Sequence, residues 1–287
     1  MNENAKIILK HGTSNRSISK IALFFVLGMA SIITLYPLIW MLYTSLKTNK
    51  DISMSTFALP ATLHFENYAN AWKQANIGTY FINSIIVSVA AIIFTVFIGA
   101  AAAFILSKFR FSMQKGVYSI FIVGMLIPLQ SILVPLFIQM RTLRLLDSLW
   151  SLILTYTAFG LPITIFIMES FMRAFPDEIL EASIIDGSPI YKMFLKIILP
   201  MTKPAIASVV ILNFLNNWKE FSFALIFISV EQKKTLPLGL YNFLGAETSN
   251  YAGLMAALVI SSIPVIAIYL LLQKQVIDGM TAGAVKG

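Results

Sequence analysis

The side chains in this chain that are able to do chemistry are few, and their types suit binding better than bond making. Cys is absent and His occurs twice, as His11 and His64, so thiolate catalysis, disulfides and Cys- or His-built metal centres lack their ligands. No Gly-x-x-x-x-Gly-Lys-Ser/Thr run cradles a nucleotide, and no Gly-x-Ser-x-Gly turn, His/Glu metal pattern or paired intramembrane Asp marks a hydrolase. What remains are amides and acids inside long apolar runs: Asn83 with Ser84, Gln130 between Pro128 and Pro135, Glu169, and Asn213, Asn216, Asn217, Trp218 and Glu220. Polar groups at membrane depth mark solute or ion paths, or they bind one helix to another. The candidates for a path are Asn83, Gln130, Asn213, Asn217, Trp218 and Glu220. Asn213 and Asn217 share one helical face, and Asn216 and Glu220 share another, which predicts that the four cannot all enter one narrow channel. Glu169 reads as a helix-end salt bridge or interface residue, and Lys219 as a snorkelling or paired cation.

A second group of marked residues lies in the polar stretch 174–203, which is too charged to sit in hydrocarbon. Its local chemistry writes a helix, a break and a second helix. Pro176 suits a first helical turn, and Asp177, Glu178 and Glu181 favour the positive end of the helix dipole. Gly187 supplies a left-handed cap, and Ser188-Pro189 predicts a restart as N-cap and first helical residue. Ile179, Leu180, Ser183 and Ile184 fall on one face, as in a partly polar helix lying along a membrane. Such an elbow is either a lever that docks on a partner or a well-capped loop.

The elements that position these groups follow from composition. The 287 residues are 58% hydrophobic and 12% charged, with a mean hydropathy of +0.81, more apolar surface than one soluble core hides. About 20 apolar residues cross roughly 30 Å of hydrocarbon as a helix, and six runs reach that length: 21–46, 80–106, 117–140, 149–171, 205–230 and 251–273. The fold class predicted is all-α, a six-helix polytopic membrane domain, because continuous runs this long are helical rather than barrel strands. It divides into a cytoplasmic leader (1–20), a first span (21–46), an extracytoplasmic segment (47–79), a core of five helices (80–273) and a cytoplasmic tail (274–287). The first run is too long for a signal-peptide core and reads as an uncleaved span. The net charge of +8 comes from cations placed between spans and not from a nucleic-acid patch. With the N-terminus inside, most Lys and Arg fall on the inner side, which places both termini in the cytoplasm. In 47–79, the run from Phe65 to Trp72 predicts a short amphipathic element at the interface.

The stretch Glu181-Ala182-Ser183, three residues, Gly187, nine residues, Ile197, one residue, Leu199-Pro200 resembles the EAA loop of permease subunits in binding-protein-dependent ABC importers. Ser183 stands where the pattern has a second alanine. The resemblance implies a coupling helix seated in a cleft of a separate ATPase, carried by Glu178, Glu181, Ala182, Ser183, Asp186, Gly187, Leu199 and Pro200. Phe65-Glu66-Asn67-Tyr68, the run from Ala102 to Phe111, Asn217-Trp218-Lys219-Glu220-Phe221 and the tail from Asp278 to Gly287 resemble the carbohydrate branch, near the second permease of maltose-like and multiple-sugar systems. The partners implied are a second, homologous permease in a heterodimer, two ATP-binding subunits and an extracytoplasmic solute-binding protein, in a bacterial-type plasma membrane. ATP and Mg would be bound by the ATPase, with no cofactor in this chain; the tail is a possible second contact with that motor. A sugar cargo would use the amides for its hydroxyls and aromatic faces for its C–H side. The loop from Glu231 to Asn250 is too polar for lipid, and Tyr241, Asn242 and Phe243 are the expected contacts to the binding protein. Glycerol phosphate or another small polar solute remains an alternative cargo. An ion-coupled secondary transporter using Glu169, Lys219 and Glu220 would need repeated halves, which the sequence lacks, and would have no use for the elbow.

Overall fold

Proline and glycine decide where the long apolar runs stay whole and where they break. The computed structural model describes residues 3–73, 75–243 and 250–284, and these form helices and turns with no strand. In order they are α1 (Glu3–Thr44), α2 (Asn49–Met54), α3 (Glu66–Lys73), α4 (Ile77–Lys108), α5 (Gln114–Gly124), α6 (Leu133–Thr142), α7 (Leu149–Arg173), α8 (Glu178–Ile185), α9 (Ile190–Met193), α10 (Leu199–Met201), α11 (Lys203–Trp218), α12 (Ser222–Phe227), α13 (Leu236–Leu240) and α14 (Tyr251–Ala284). Ala22–Thr44 of α1, all of α4 and α7, and Tyr251–Lys274 of α14 are long and apolar enough to cross a bilayer. Two bent pairs, α5 with Leu129–Thr142 and Ile190–Met201 with α11, bring the number to six if each is one span. α3 occupies the amphipathic stretch expected at the outer interface.

Two of the expected single spans are broken helices. The run 117–140 is not one helix: α5 ends at Gly124, and the chain resumes after Pro128 at an angle of 96°. Pro128 has no N–H to continue a ladder and disfavours helix in the residue before it. The run 205–230 is also interrupted. α11 starts earlier, at Lys203, and stops at Trp218, after which Glu220 caps a new short helix. Below it, Pro200 in α register would collide with the Lys196 carbonyl, and the backbone runs instead through a π turn at Phe194–Ile198.

α4 and α7 form the centre, packed side by side. Small residues bring them together: a Cβ on Gly99 would stand 2.4 Å from Thr164 Cγ2, and Ala91, Ala100 and Ala103 are fully buried on α4. This is the close-approach packing available where lipid supplies no hydrophobic drive between helices. α11 and α14 pack alongside, and α1 touches chiefly α14, leaving its apolar residues from Leu23 to Ile39 exposed.

Candidate functional site

A cavity lies at the break after Trp218. It encloses about 430 Å³ and is lined by Gln130 beyond the first bend, by Tyr156, Phe159, Gly160 and Ile163 of α7, and by Asn213, Asn216, Asn217, Lys219, Glu220, Phe221 and Phe223. Sequence spacing separated Asn213 and Asn217 from Asn216 and Glu220; the structure brings all four to one wall. Asn213, Asn216 and Asn217 fall within an arc of about 100° on α11, and Glu220, past the end of that helix, joins them where the chain turns into α12.

The polar groups on that wall differ in how far they are engaged. Asn213 is buried and its Nδ2 donates to Thr164 Oγ1 at 3.0 Å and Val209 O at 2.9 Å, while no described residue donates to its Oδ1. Asn217 Nδ2 is buried with no partner. Asn216, on the same wall, is exposed and presents a carboxamide able to bond a hydroxylated solute. Glu220 is otherwise occupied: its carboxylate accepts from Tyr156 Oη at 2.7 Å, Phe223 N at 2.8 Å and Ala224 N at 3.3 Å, capping α12. Gly160 makes room for Asn213, since a Cβ there would lie 2.3 Å from Asn213 Oδ1. The sequence reading missed Phe159 and Gly160; a glycine within an apolar span was the available signal of close approach.

Two expected path residues lie elsewhere. Asn83 is near the N-terminal end of α4, where its Nδ2 donates to Gln232 O at 2.8 Å and Lys234 O at 2.9 Å. Its neighbour Ser84 accepts from Leu236 N at 2.8 Å, so the pair fastens the segment following α12. Trp218 is buried, stacks on Phe214, meets Phe81 edge-on and donates Nε1 to Ser261 O, binding α11 to α14. Both bind elements together because their neighbours in space, not their depth, supply their partners. Glu169 pairs with Arg173 one turn on, as a helix-end salt bridge.

The segment following α12 is fastened twice more. Tyr80 Oη and Asn242 Nδ2 donate to Glu231, whose carboxyl is held below its ordinary range first by Lys234 and then by Tyr80. Asp147 Oδ1 accepts from Ser229 N at 2.6 Å and Val230 N at 3.0 Å, and these two bonds hold the Asp147 carboxyl below its ordinary range. Of the three residues expected to face a binding protein, Phe243 is buried at 7% exposure among Tyr80, Trp218 and Leu236, because folding the segment back supplies it an apolar site. Asn242 is exposed but bonded to Glu231 and Lys234, and Tyr241 alone presents a ring outward, 60% exposed. Leu244 and the rest of the loop to Ser249 lie outside the described residues.

At the opposite end stands the elbow. α8 closes with Gly187 at φ +70°, Gly187 N donating to Ile184 O at 2.9 Å and Ser188 N to Ser183 O at 3.0 Å. That double bond is the Schellman cap, and it turns the chain sharply. The predicted edges shift slightly: Pro176 precedes the Asp177 N-cap, and Pro189 is itself the N-cap of α9, its ψ of 153° being extended. Glu178, Glu181, Ala182 and Asp186 are exposed, as are Ile184 at 62% and Ile185 at 84%. Ser183 is buried, Leu199 packs against the inner core and Pro200 is exposed. Of the predicted face, Ser183 points inward and Ile184 outward.

Residues 95–281 match the family described as binding-protein-dependent transport system inner membrane component. The diacetylchitobiose uptake system permease protein of Streptomyces coelicolor is 37% identical over 88% of this chain and 84% of its own length. The multiple sugar-binding transport system permease protein of Streptococcus mutans is 32% identical over 92% of this chain and 96% of its own. A bacterial ABC transporter involved in import of the acidic polysaccharide alginate has a chain of the same fold, with a TM-score of 0.79 at 24% identity, covering 91% of this chain and 97% of that one. The relatives are transport permeases and not enzymes, and the chain, a multi-pass protein of the plasma membrane, belongs to the permease subunits of binding-protein-dependent ABC importers, among the sequences of sugar-uptake systems.

Proposed function

We propose that this subunit lines half of the path for a sugar or oligosaccharide delivered by an extracytoplasmic binding protein, and that the elbow around Glu181–Gly187 takes up the motion of a separate ATPase. The observation that carries the reading is the cavity wall on α11 and α7. Asn213, Asn216 and Asn217 line it beside the partly exposed rings of Phe159 and Phe221. Amides suit hydroxyls, and the rings suit the C–H face of a pyranose. The sugar-uptake relatives support the same cargo class.

In this reading a second, different permease closes the path from the other side, two ATP-binding subunits drive it, and both termini lie in the cytoplasm. ATP with Mg, bound by those subunits, supplies the free energy by favouring one of two arrangements of the permeases. The elbow suits its role because its tip exposes Ile184 and Ile185 beside Glu181 and Asp186, an apolar knob with a charged rim. On the outer side Tyr241 is the contact offered to the binding protein.

The test is uptake in proteoliposomes of the assembled complex. Glu181→Lys abolishes uptake with membrane insertion unchanged, and Asn213→Ala with Asn217→Ala lowers it. Tyr241→Ser weakens stimulation of ATP hydrolysis by loaded binding protein. Uptake that persists without any ATPase subunit refutes the proposal.

A further inference from the structure

Lys108 entered the sequence reading only as one of the inner positive charges, yet its side chain is 2% exposed. It ends α4, and its Nζ donates to Phe175 O at 2.6 Å and to Asp177 Oδ1 at 2.7 Å. Both acceptors lie at the start of the elbow. Asp177 is the N-cap of α8 but makes no side-chain bond to that helix. Its carboxylate, 72% exposed and drawn below its ordinary range by Lys108, serves α4 instead. An N-cap Asp normally binds the backbone N–H two or three residues on, so the group's use across 69 residues of sequence is a choice of the tertiary structure.

Besides this pair, the limb is held by the buried Ser183 and by Phe175 and Leu180, which pack against the core of α4 and α7. α8 exposes Glu178, Glu181, Ala182, Ile184 and Ile185, and open space surrounds Gly187. The second limb is also mounted on α4, through Phe194 stacked on Phe104 with centroids 5.5 Å apart. α4 itself suits a strut. Of the four helices long enough to cross alone it is the one without proline, where α1, α7 and α14 contain Pro37, Pro162 and Pro264. Its 32 residues reach about 48 Å at 1.5 Å each. Its far end is bonded through Tyr80, Asn83 and Ser84 to the segment following α12.

We infer that Lys108 is a positioning residue that mounts the coupling elbow on the end of α4, so that a push on α8 enters a stiff helix running to the segment following α12. This rests on the reading of the elbow as the contact to the ATPase. Without the ammonium, only apolar packing at Phe175, Leu180 and Ser183 would tie α8 to the core, and part of the movement of the motor would be absorbed locally.

The experiment measures solute imported per ATP hydrolysed by the whole complex in proteoliposomes, for Lys108→Gln, Lys108→Arg, Asp177→Asn and the double variant Lys108→Gln/Asp177→Asn. Membrane content and co-purified ATPase are measured alongside. Asp177 is at the surface, so its variant tests the contact without disturbing the interior. The ratio falls about tenfold in Lys108→Gln and by a smaller factor in Asp177→Asn, the scale of a lost charge-assisted bond. The double variant is no worse than Lys108→Gln alone, and Lys108→Arg retains most of the ratio. An unchanged ratio in Lys108→Gln, or additive losses in the double variant, overturns the inference. Glu181→Lys separates the two ideas: if it abolishes uptake while the Lys108 variants are normal, the elbow reading stands and the mount fails; if it leaves uptake intact, both fail.

Discussion

Gly160→Ala adds one methyl group where α7, α4 and α11 meet. The new Cβ would stand 2.3 Å from Asn213 Oδ1 and 2.9 Å from Thr95 Cγ2, whereas ordinary contact begins at 3.4 Å. Asn213 Oδ1 must therefore retreat by about 1 Å. The carboxamide is planar, so its Nδ2 moves with it and the bonds to Thr164 and Val209 lengthen or break. Two such bonds inside a membrane contribute about 0.6 kcal/mol each, and overpacking a tight site costs about 1–3 kcal/mol. The total is about 2–4 kcal/mol. A denaturant titration of the purified complex reads it as a lower midpoint for Gly160→Ala. Shortening Asn213 removes the closer of the two clashes and leaves the 2.9 Å approach to Thr95 Cγ2, so Gly160→Ala destabilises less in the Asn213→Ala background than in the parent. Uptake separates packing from path: the double variant is relieved of the closer clash but does not regain transport, because the cavity still lacks Asn213. Additive destabilisation refutes the packing argument, and full transport by Asn213→Ala removes that residue from the path.

At Gly187 a Cβ meets nothing, but φ is +70°, so Ala carries a strain of about 1 kcal/mol and Asn carries less. If conformation alone matters, Gly187→Asn transports better than Gly187→Ala; equal loss in both means that a partner surface needs the missing side-chain space, and equal full activity in a transport assay refutes both. Glu220→Ala removes the cap of α12 and costs about 1 kcal/mol, while Tyr156→Phe removes one of three donors and costs less; thermal unfolding that ranks them the other way counts against the capping role. Asp147 has a folded-state pKa below its ordinary 3.8 because it accepts from Ser229 and Val230 amides, so its contribution is full above 3.8 and disappears as pH falls through the lowered value. Protection of those two amides, measured against their intrinsic exchange rates, accordingly falls in that acid range and is low at all pH values in Asp147→Ala; protection in the parent that ignores pH there contradicts the assignment.

The features legible in the sequence were those written by neighbours along the chain. Apolar run length marked the helices that cross whole, and the Gly187 cap was readable because a Schellman turn involves only adjacent residues. The face shared by Asn213, Asn216 and Asn217 was also written there, in their i, i+3, i+4 spacing, whereas Glu220 joins it from beyond the helix end. The interruption after Trp218 was not legible, because Glu220 is fixed partly by Tyr156, a residue 64 positions away.

Composition and local pattern by themselves determined an all-helical membrane protein with a capped polar elbow between two apolar stretches. Tertiary structure alone decided that Asn83 and Trp218 bind elements together, that Phe243 is core while Tyr241 faces outward, and that Lys108 reaches across to the start of the elbow. Helix, cap and span depend on backbone bonds between residues a few positions apart. The partner of a buried amide or ammonium depends on which helix lies beside it, and that is fixed only when all of them have packed.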